Sequence, residues 1–254
     1  MNNVNNNYLN FLIELANQAD EVATFFFHKQ FKISQKIDAT LVTEADLKIE
    51  TEVRKLALNH YPQLSILGEE FGEVKNSSCK LIIDPIDSTY NFVRGLPFFA
   101  TLLAIEEDNE IVAGIVSSPI TKERWLASVN QGAFYNNQKL EVSKIKALSK
   151  ATVFHGSLFG AEAKEIPNQM FKIIRKTFRQ RGFGDYLSHM LVAMGKGEFA
   201  FDFGVKPWDI APIKIIVEEA GGMLTDQFGV PTIYSGNMIS SNGYLHEEIL
   251  KVVP

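Results

Sequence analysis

Six consecutive residues, Asp84-Pro85-Ile86-Asp87-Ser88-Thr89, place two carboxylates three positions apart after an apolar run, Leu81-Ile82-Ile83. The run is short and β-branched, which reads as a buried strand. Pro85 has no N–H and pushes Asp84 out of the helical region, so the strand is expected to end there in a turn. Such a turn aims both acids and the Ile86 carbonyl at one point. Ligands that are all oxygen suit a hard cation such as Mg²⁺. Ser88 and Thr89 add hydroxyls, and a helix starting there adds N–H groups that favour a phosphate. The stretch reads as a holder for Mg²⁺ and phosphate side by side. It would serve equally as an ordinary helix start with Asp87 as N-cap, so other segments must decide.

Three other segments bring acids to element ends. Val42 to Glu50 looks like a helix entry, with Thr43 as N-cap and Asp46 as its reciprocal acid. Leu64-Ser65-Ile66-Leu67 reads as a strand ending in Gly68-Glu69-Glu70, and Trp208-Asp209-Ile210-Ala211-Pro212 opens an apolar helix. Each has a plain explanation: a cap, a solvated turn, an acid favoured by the helix dipole by under ~1 kcal/mol. Two acidic strand ends so close in sequence, Glu69 and Asp84, nevertheless favour a shared site, because neighbouring strands bring such ends together.

The elements that must position these acids follow from periodicity. Tyr8 to His28 carries apolar residues at spacings near three and four, an amphipathic helix whose Phe25-Phe26-Phe27 end is assigned to the core. Lys32 to Leu41 is polar and reads as a loop. The second helix runs to about His60. After Gly95-Leu96-Pro97, residues 98–105, 111–117 and 124–128 read as consecutive strands, with Glu107-Asp108-Asn109 as the first turn and residues 132–140 as a further hairpin. Beyond a polar segment, Lys144 to Lys150, strands and helices alternate. Strands are expected at 153–155, 199–201, 223–225 and 238–240, and helices at 166–180, 186–194, 209–220 and 245–252. Gly221-Gly222 stops the third of these helices. The expected fold is therefore α+β in the first half, 1–145, and α/β in the second, 146–254, which holds Asp209.

Composition excludes several classes. With 254 residues, 46% hydrophobic and 22% charged, the chain is an ordinary globular one. Its net charge of −5 and lack of a Lys/Arg block argue against nucleic acid as a partner. Cys79 is the single cysteine, which fits a reducing cytoplasm and excludes a thiolate cluster. The first residues form no signal-peptide pattern, and no apolar run is long enough for a membrane span. The scattered histidines form no His-Glu-x-x-His pattern, so a metal is expected on carboxylates.

Taken in order, Val42-Thr43-Glu44-Ala45-Asp46 with Glu50, Gly68-Glu69-Glu70, Asp84 to Thr89 with Asn91-Phe92, and Trp208 to Pro212 with Glu219-Ala220-Gly221-Gly222 resemble the inositol monophosphatase superfamily of Mg²⁺-dependent, lithium-sensitive phosphomonoesterases. The resemblance implies a layered α/β/α/β/α sandwich and hydrolysis of a small alcohol phosphate by metal-activated water. It implies two or three Mg²⁺ ions: Glu69, Asp84 and the Ile86 carbonyl on the first, Asp84, Asp87 and Asp209 on the second, and a weaker third at Glu69 with Asp46 near its water shell. Ser88 and Thr89 would hold the phosphate. Glu69 and Thr89 would orient the attacking water, and Glu69 or Asp46 would take its proton. A homodimer is common among such relatives. The family usually has glycine where Ser88 stands, which puts phosphate affinity or substrate range in question.

A finer resemblance points to the histidinol-phosphate phosphatase branch. It rests on Lys36-Ile37-Asp38-Ala39-Thr40, Val93 to Pro97 with Ala100-Thr101-Leu102, Ser118-Pro119 before Arg124-Trp125, and Arg181 to Tyr186 with Val192-Ala193 and Gly195. Gly184, Asp185, Tyr186 and Asp202 align with positions contacting the non-phosphate part of the substrate. An Asp185–Asp202 pair suits a cationic amino alcohol such as L-histidinol phosphate better than a neutral cyclitol; inositol 1-phosphate is the alternative. A bisphosphate nucleotidase or fructose-bisphosphatase would need extra basic residues, for which Arg94, Arg181 and Lys206 are candidates. A non-catalytic relative is disfavoured because every expected ligand acid is present.

Overall fold

The computed structural model describes residues 2–36, 40–159 and 166–253. Ile37-Asp38-Ala39 of the branch motif lies outside the described residues. The first layer is a helix pair, α1 (Asn2–Phe27) and α2 (Glu44–His60), with a small antiparallel pair, β1 (Ile33–Gln35) and β2 (Leu41–Thr43), between them in sequence. Leu12, Leu15, Ala16, Ala19 and Ala23 form the fully buried face of α1, the stripe its periodicity predicts. α2 begins on its expected cap. The Thr43 hydroxyl accepts from the Ala45 N–H at 3.1 Å, and the Thr43 N–H reaches the Asp46 carboxylate at 2.8 Å.

The second layer is a sheet of β3 (Ser65–Gly68), β4 (Gly72–Val74), β5 (Cys79–Asp87), β6 (Ala100–Glu107), β7 (Glu110–Ser118), β8 (Glu123–Ser128), β9 (Gly132–Tyr135) and β10 (Gln138–Lys139). Its order is β10-β9-β8-β7-β6-β5-β3-β4, and only β3 and β5 run parallel. The predicted meander is β6 to β10, joined to β5 by antiparallel pairing of β5 with β6. Asp108 and Asn109 both have positive φ, 51° and 69°, the turn geometry that matches strand twist in a tight hairpin. β5 is buried on both faces. Leu81 and Ile83 pack beneath α1 and α2, while Ile82 faces the opposite core with Leu102 and Ala104. A strand covered on both sides reads as a continuous apolar run, which is why Leu81-Ile82-Ile83 was legible.

After the single-turn helix α3 (Thr89–Val93) and the meander, the chain adds β11 (Thr152–His155), α4 (Asn168–Ile174), β12 (Arg179–Gly182), α5 (Asp185–Ala193), β13 (Phe199–Phe203), α6 (Pro207–Glu219), β14 (Met223–Thr225), β15 (Asn237–Ser241) and α7 (His246–Leu250). The second sheet has the order β12-β11-β13-β15-β14. Helices α5 and α6 lie between the two sheets: Met190, Ile213 and Ile216 share a core with Ile82, Val116 and Trp125 on one side and Leu224 and Met238 on the other. α4 and α7 cover the outer face through Met170, Ile173 and Ile249. The result is the α/β/α/β/α sandwich. Gly114 of β7 sets how closely α6 sits: a Cβ there would come within 2.9 Å of the Pro212 Cα and 2.7 Å of Ile215 Cγ2. Among the described residues no helix is long and apolar enough to cross a membrane.

Four expectations need correction. β5 does not end at Pro85 but runs through it to Asp87. Proline fits because the strand bulges there, two residues facing one on β6, and the Thr101 hydroxyl donates to the Pro85 carbonyl at 2.8 Å. The predicted helix 166–180 is only Asn168–Ile174. The chain then turns, with Gln180 Nε2 donating to the Ile174 carbonyl, and forms edge strand β12 beside β11. Arg179-Gln180-Arg181 carries no alternation because an edge strand with charged, exposed residues needs none. The loop 32–41 contains the short β1. Of the three phenylalanines, Phe27 packs on Phe92 and Phe99, but Phe25 is 55% exposed beneath the Lys29 ammonium.

Candidate active site

The parallel pairing of β3 with β5 brings Glu69 beside the end of β5, its N–H donating to the Ile83 carbonyl at 3.2 Å. The bulge then aims Asp84 and Asp87 toward the start of α6. Asp209 lies in the first turn of that helix, its carboxylate accepting the Lys206 N–H at 2.7 Å. Asp87 accepts the Tyr186 N–H from the start of α5 at 2.9 Å. Ligand oxygens of Asp84, Asp87 and Asp209 all lie within 4.8 Å of one another.

Three carboxylates this close repel one another. Burial raises the Asp84 carboxyl well above its usual range, and the charges of Glu69, Asp87 and Asp209 raise it further. Asp87 is raised by burial and then by Asp185 and Asp209. Asp209 is pushed up to about 7, by burial first, against the pull of the Lys206 N–H. Asp84 Oδ1 is buried and has no hydrogen-bond partner. A buried, unpartnered oxygen facing two other acids fits a divalent cation with oxygen ligands.

Glu69 stands apart from that trio. Its carboxylate meets the Lys36 ammonium at 2.8 Å, and Glu70 meets the same ammonium at 2.7 Å. Burial would lower Lys36, but the two acids outweigh it and hold its pKa high. Burial and the neighbouring Glu69 push Glu70 up to about 7 despite Lys36. Asp46 lies behind the cleft wall. Its carboxyl is pushed up to about 6 by burial, against two hydrogen bonds from Thr43, and its Oδ1 has no partner.

A cleft of about 550 Å³ opens over these groups. Ser88 and Thr89 line it. Ser88 has φ +68°, the left-handed conformation that suits glycine, and its hydroxyl donates to the Asp185 carboxylate. Thr89 Oγ1 donates to the Ile86 carbonyl at 3.0 Å. α3 is a single turn, so its dipole is slight and the turn N–H groups and hydroxyls matter more. Gly184, Asp185 and Asp202 form the far wall beside His155 and Phe201. Tyr186 differs from expectation: its ring is buried against Trp125 and its hydroxyl bonds Ser118, so it offers the site its N–H. Arg94, Arg181 and Lys206 do not line the cleft.

Six carboxylates line the cleft, with no lysine or arginine among the described residues. Lys36, His155 and Phe201 carried no recognisable role in the sequence. Lys36 stood in the sequence only as the first residue of the Lys36 to Thr40 motif, with no role attached, and the other two read as ordinary strand residues.

The inositol monophosphatase family profile matches residues 5–254. A histidinol-phosphatase from Mycobacterium tuberculosis is 37% identical over 245 residues, 94% of each chain. A fructose-1,6-bisphosphatase/inositol-1-monophosphatase from Thermotoga maritima is 34% identical, covering 96% of this chain and 95% of its own. The crystal structure of extragenic suppressor protein suhB from Bartonella henselae superposes with a TM-score of 0.88 at 28% identity, covering 97% of this chain and 98% of that one. The layered fold, the converging acids and a match over nearly the whole length agree: this chain belongs to the inositol monophosphatase family, a generally metal-dependent group of phosphatases.

Proposed function

We propose that the protein hydrolyses L-histidinol phosphate, with Mg²⁺ as its cofactor in two or three sites. The carrying observation is the cleft itself: six carboxylates line it, and no lysine or arginine does among the described residues. A phosphate dianion cannot sit among them unless cations come too, and a substrate with a positive charge fits the Asp185–Asp202 end better than a neutral one. The histidinol-phosphatase relative supports this choice.

In this reading Glu69, Asp84, Asp87, Asp209 and the Ile86 carbonyl hold the ions. When bound, Mg²⁺ polarises the phosphate and makes a water acidic enough to attack near neutral pH. Ser88 and Thr89 cradle the phosphate through hydroxyls and turn N–H groups. Thr89 and Glu69 orient the attacking water, and Glu69 or Asp46 accepts its proton. A carboxyl held at about 6, as Asp46 is, is near the basicity such a role requires. Gly184, Asp185 and Asp202 receive the alcohol portion, while Tyr186 keeps its N–H on Asp87. The single cysteine supports a cytoplasmic setting, and we read the chain as a homodimer whose halves divide near residue 145.

The Thermotoga relative supports inositol 1-phosphate as the second reading. Phosphate release from histidinol phosphate, inositol 1-phosphate, fructose 1,6-bisphosphate and a 3′-phosphonucleotide, with and without Mg²⁺, decides between them. The expected result is Mg²⁺-dependent release with the highest kcat/KM on histidinol phosphate. Release that persists in chelator refutes the metal assignment, and a higher kcat/KM on inositol 1-phosphate refutes the substrate.

A further inference from the structure

His189 of α5 is fully buried and uses both ring nitrogens. Nδ1 lies 2.7 Å from Ser240 Oγ, and Nε2 lies 2.9 Å from Asp202 Oδ2. Serine, histidine and acid in a row have the composition of a hydrolytic triad, but their accessibilities are inverted. Ser240 is fully buried within β15 and reaches no substrate. The acid is the end that opens on the cleft. A carboxylate only accepts, so Nε2 carries the proton that meets Asp202, while the Ser240 hydroxyl completes Nδ1.

The three residues tie α5, β13 and β15 together and fix one oxygen of Asp202. The other, Oδ1, lies toward Gly156, where a Cβ would come within 3.0 Å of it. Bare backbone at Gly156 therefore leaves that oxygen open to a ligand. Folding alone does not call for a histidine at this place. Replacing all three residues by well-packed apolar side chains is commonly neutral or stabilising, as the neighbouring buried Met190 and Val192 illustrate, whereas removing the histidine alone leaves Ser240 and Asp202 without their partner. What the network adds is a carboxylate held in one orientation at the cleft wall, which lowers the entropy a ligand must overcome.

We propose that His189, backed by Ser240, is a positioning residue. It holds Asp202 to receive the positive charge on the alcohol portion of the substrate, and so sets the preference for a cationic over a neutral phosphate monoester. This rests on the reading of the cleft as a site for an amino-alcohol phosphate.

The test compares wild type with His189→Phe, His189→Gln, Ser240→Ala, Asp202→Asn and the double variant His189→Phe/Asp202→Asn. Each is assayed at saturating Mg²⁺ on histidinol phosphate and inositol 1-phosphate, with a thermal melt to establish folding. The expected result for His189→Phe is a KM for histidinol phosphate about tenfold higher, the scale of one hydrogen bond to a charged group. Its kcat, and both constants for inositol phosphate, stay within about twofold. Glutamine, whose amide N–H can still reach Asp202, restores most of the loss. The double variant is no worse than Asp202→Asn alone, because both changes act through one carboxylate. Ser240→Ala raises the same KM by about two- to threefold and carries the test if the phenylalanine variant does not fold. Folded variants that keep the wild-type preference, or lose both substrates in proportion, overturn the relay and leave the substrate reading standing. A wild type with no preference for the cationic substrate overturns that reading and the relay with it.

Discussion

Asp209→Asn is expected to make the metal-free protein more stable at alkaline pH. Asparagine keeps an oxygen for the Lys206 N–H, now at 2.7 Å, and removes only the charge. In the folded chain the Asp209 carboxyl is held up at about 7, against 3.8 for the free group. The folded state therefore binds a proton that the unfolded state releases, and stability falls as pH climbs from about 4 through 7. A shift of about three units is a ceiling of roughly 4 kcal/mol above pH 7. The cleft is partly open to solvent, and screening reduces this to about 2 kcal/mol. For a chain of this size that is about 4–8 °C in melting temperature. In EDTA at pH 8 the variant should melt higher than wild type by that amount. The gap should shrink to less than half by pH 5 and vanish near pH 4. Mg²⁺ at a hundred times its Kd should return about 2.7 kcal/mol to the wild type and much less to the variant. Scanning calorimetry at both pH values, with and without Mg²⁺, reads all of this. A variant less stable than wild type at pH 8 in EDTA, or a gap that does not depend on pH, refutes the view that these acids are forced together.

Three further outcomes follow from particular contacts. Asp87→Asn retains an acceptor for the Tyr186 N–H and removes a charge that burial, Asp185 and Asp209 disfavour, so its melt in EDTA at pH 8 should rise, as for Asp209→Asn, while Mg²⁺-dependent turnover drops about a hundredfold or more, under 3 kcal/mol per two decades of rate. Ser88→Gly relieves a left-handed backbone worth about 1–2 kcal/mol and should raise the melting temperature by about 2–8 °C; a lower melt would mean that the bond to Asp185 outweighs the strain. Gly114→Val drives a side chain into Pro212 and Ile215 and should destabilise by about 3 kcal/mol, measured by urea titration; a neutral result would mean that α6 can move off β7.

What could be read from the sequence was whatever is specified by neighbours in sequence. The Thr43–Asp46 box and the Asp108-Asn109 turn complete their own geometry within a few residues, and the apolar run of β5 shows in its composition because both of its faces are covered. That Asp84 and Asp87 would meet Asp209 was implied by the family resemblance of the motifs in order, since nothing local to Trp208-Asp209-Ile210 fixed it. What escaped depends on a distant partner. Pro85 could stay within a strand because the bulge opposite β6 asks no N–H of it, and Thr101 on that strand satisfies its carbonyl. β12 exists because β11 offers it an edge, and its arginines give no sign of pairing. Lys36 finds Glu69 and Glu70 only after β3 is in place. His189 looks like one more residue on a buried helix face until β13 and β15 supply its two partners.

The helix bearing Asp209 is sandwiched between two sheets that the chain builds at different times. Asp84 and Asp87 leave the ribosome more than a hundred residues before Asp209 does. A nascent chain that has finished the meander already exposes the apolar underside of its sheet, yet has no complete trio of acids to offer an ion. A chain cut short before α6 thus lacks Asp209 and leaves uncovered the apolar sheet face on which α6 packs at Gly114.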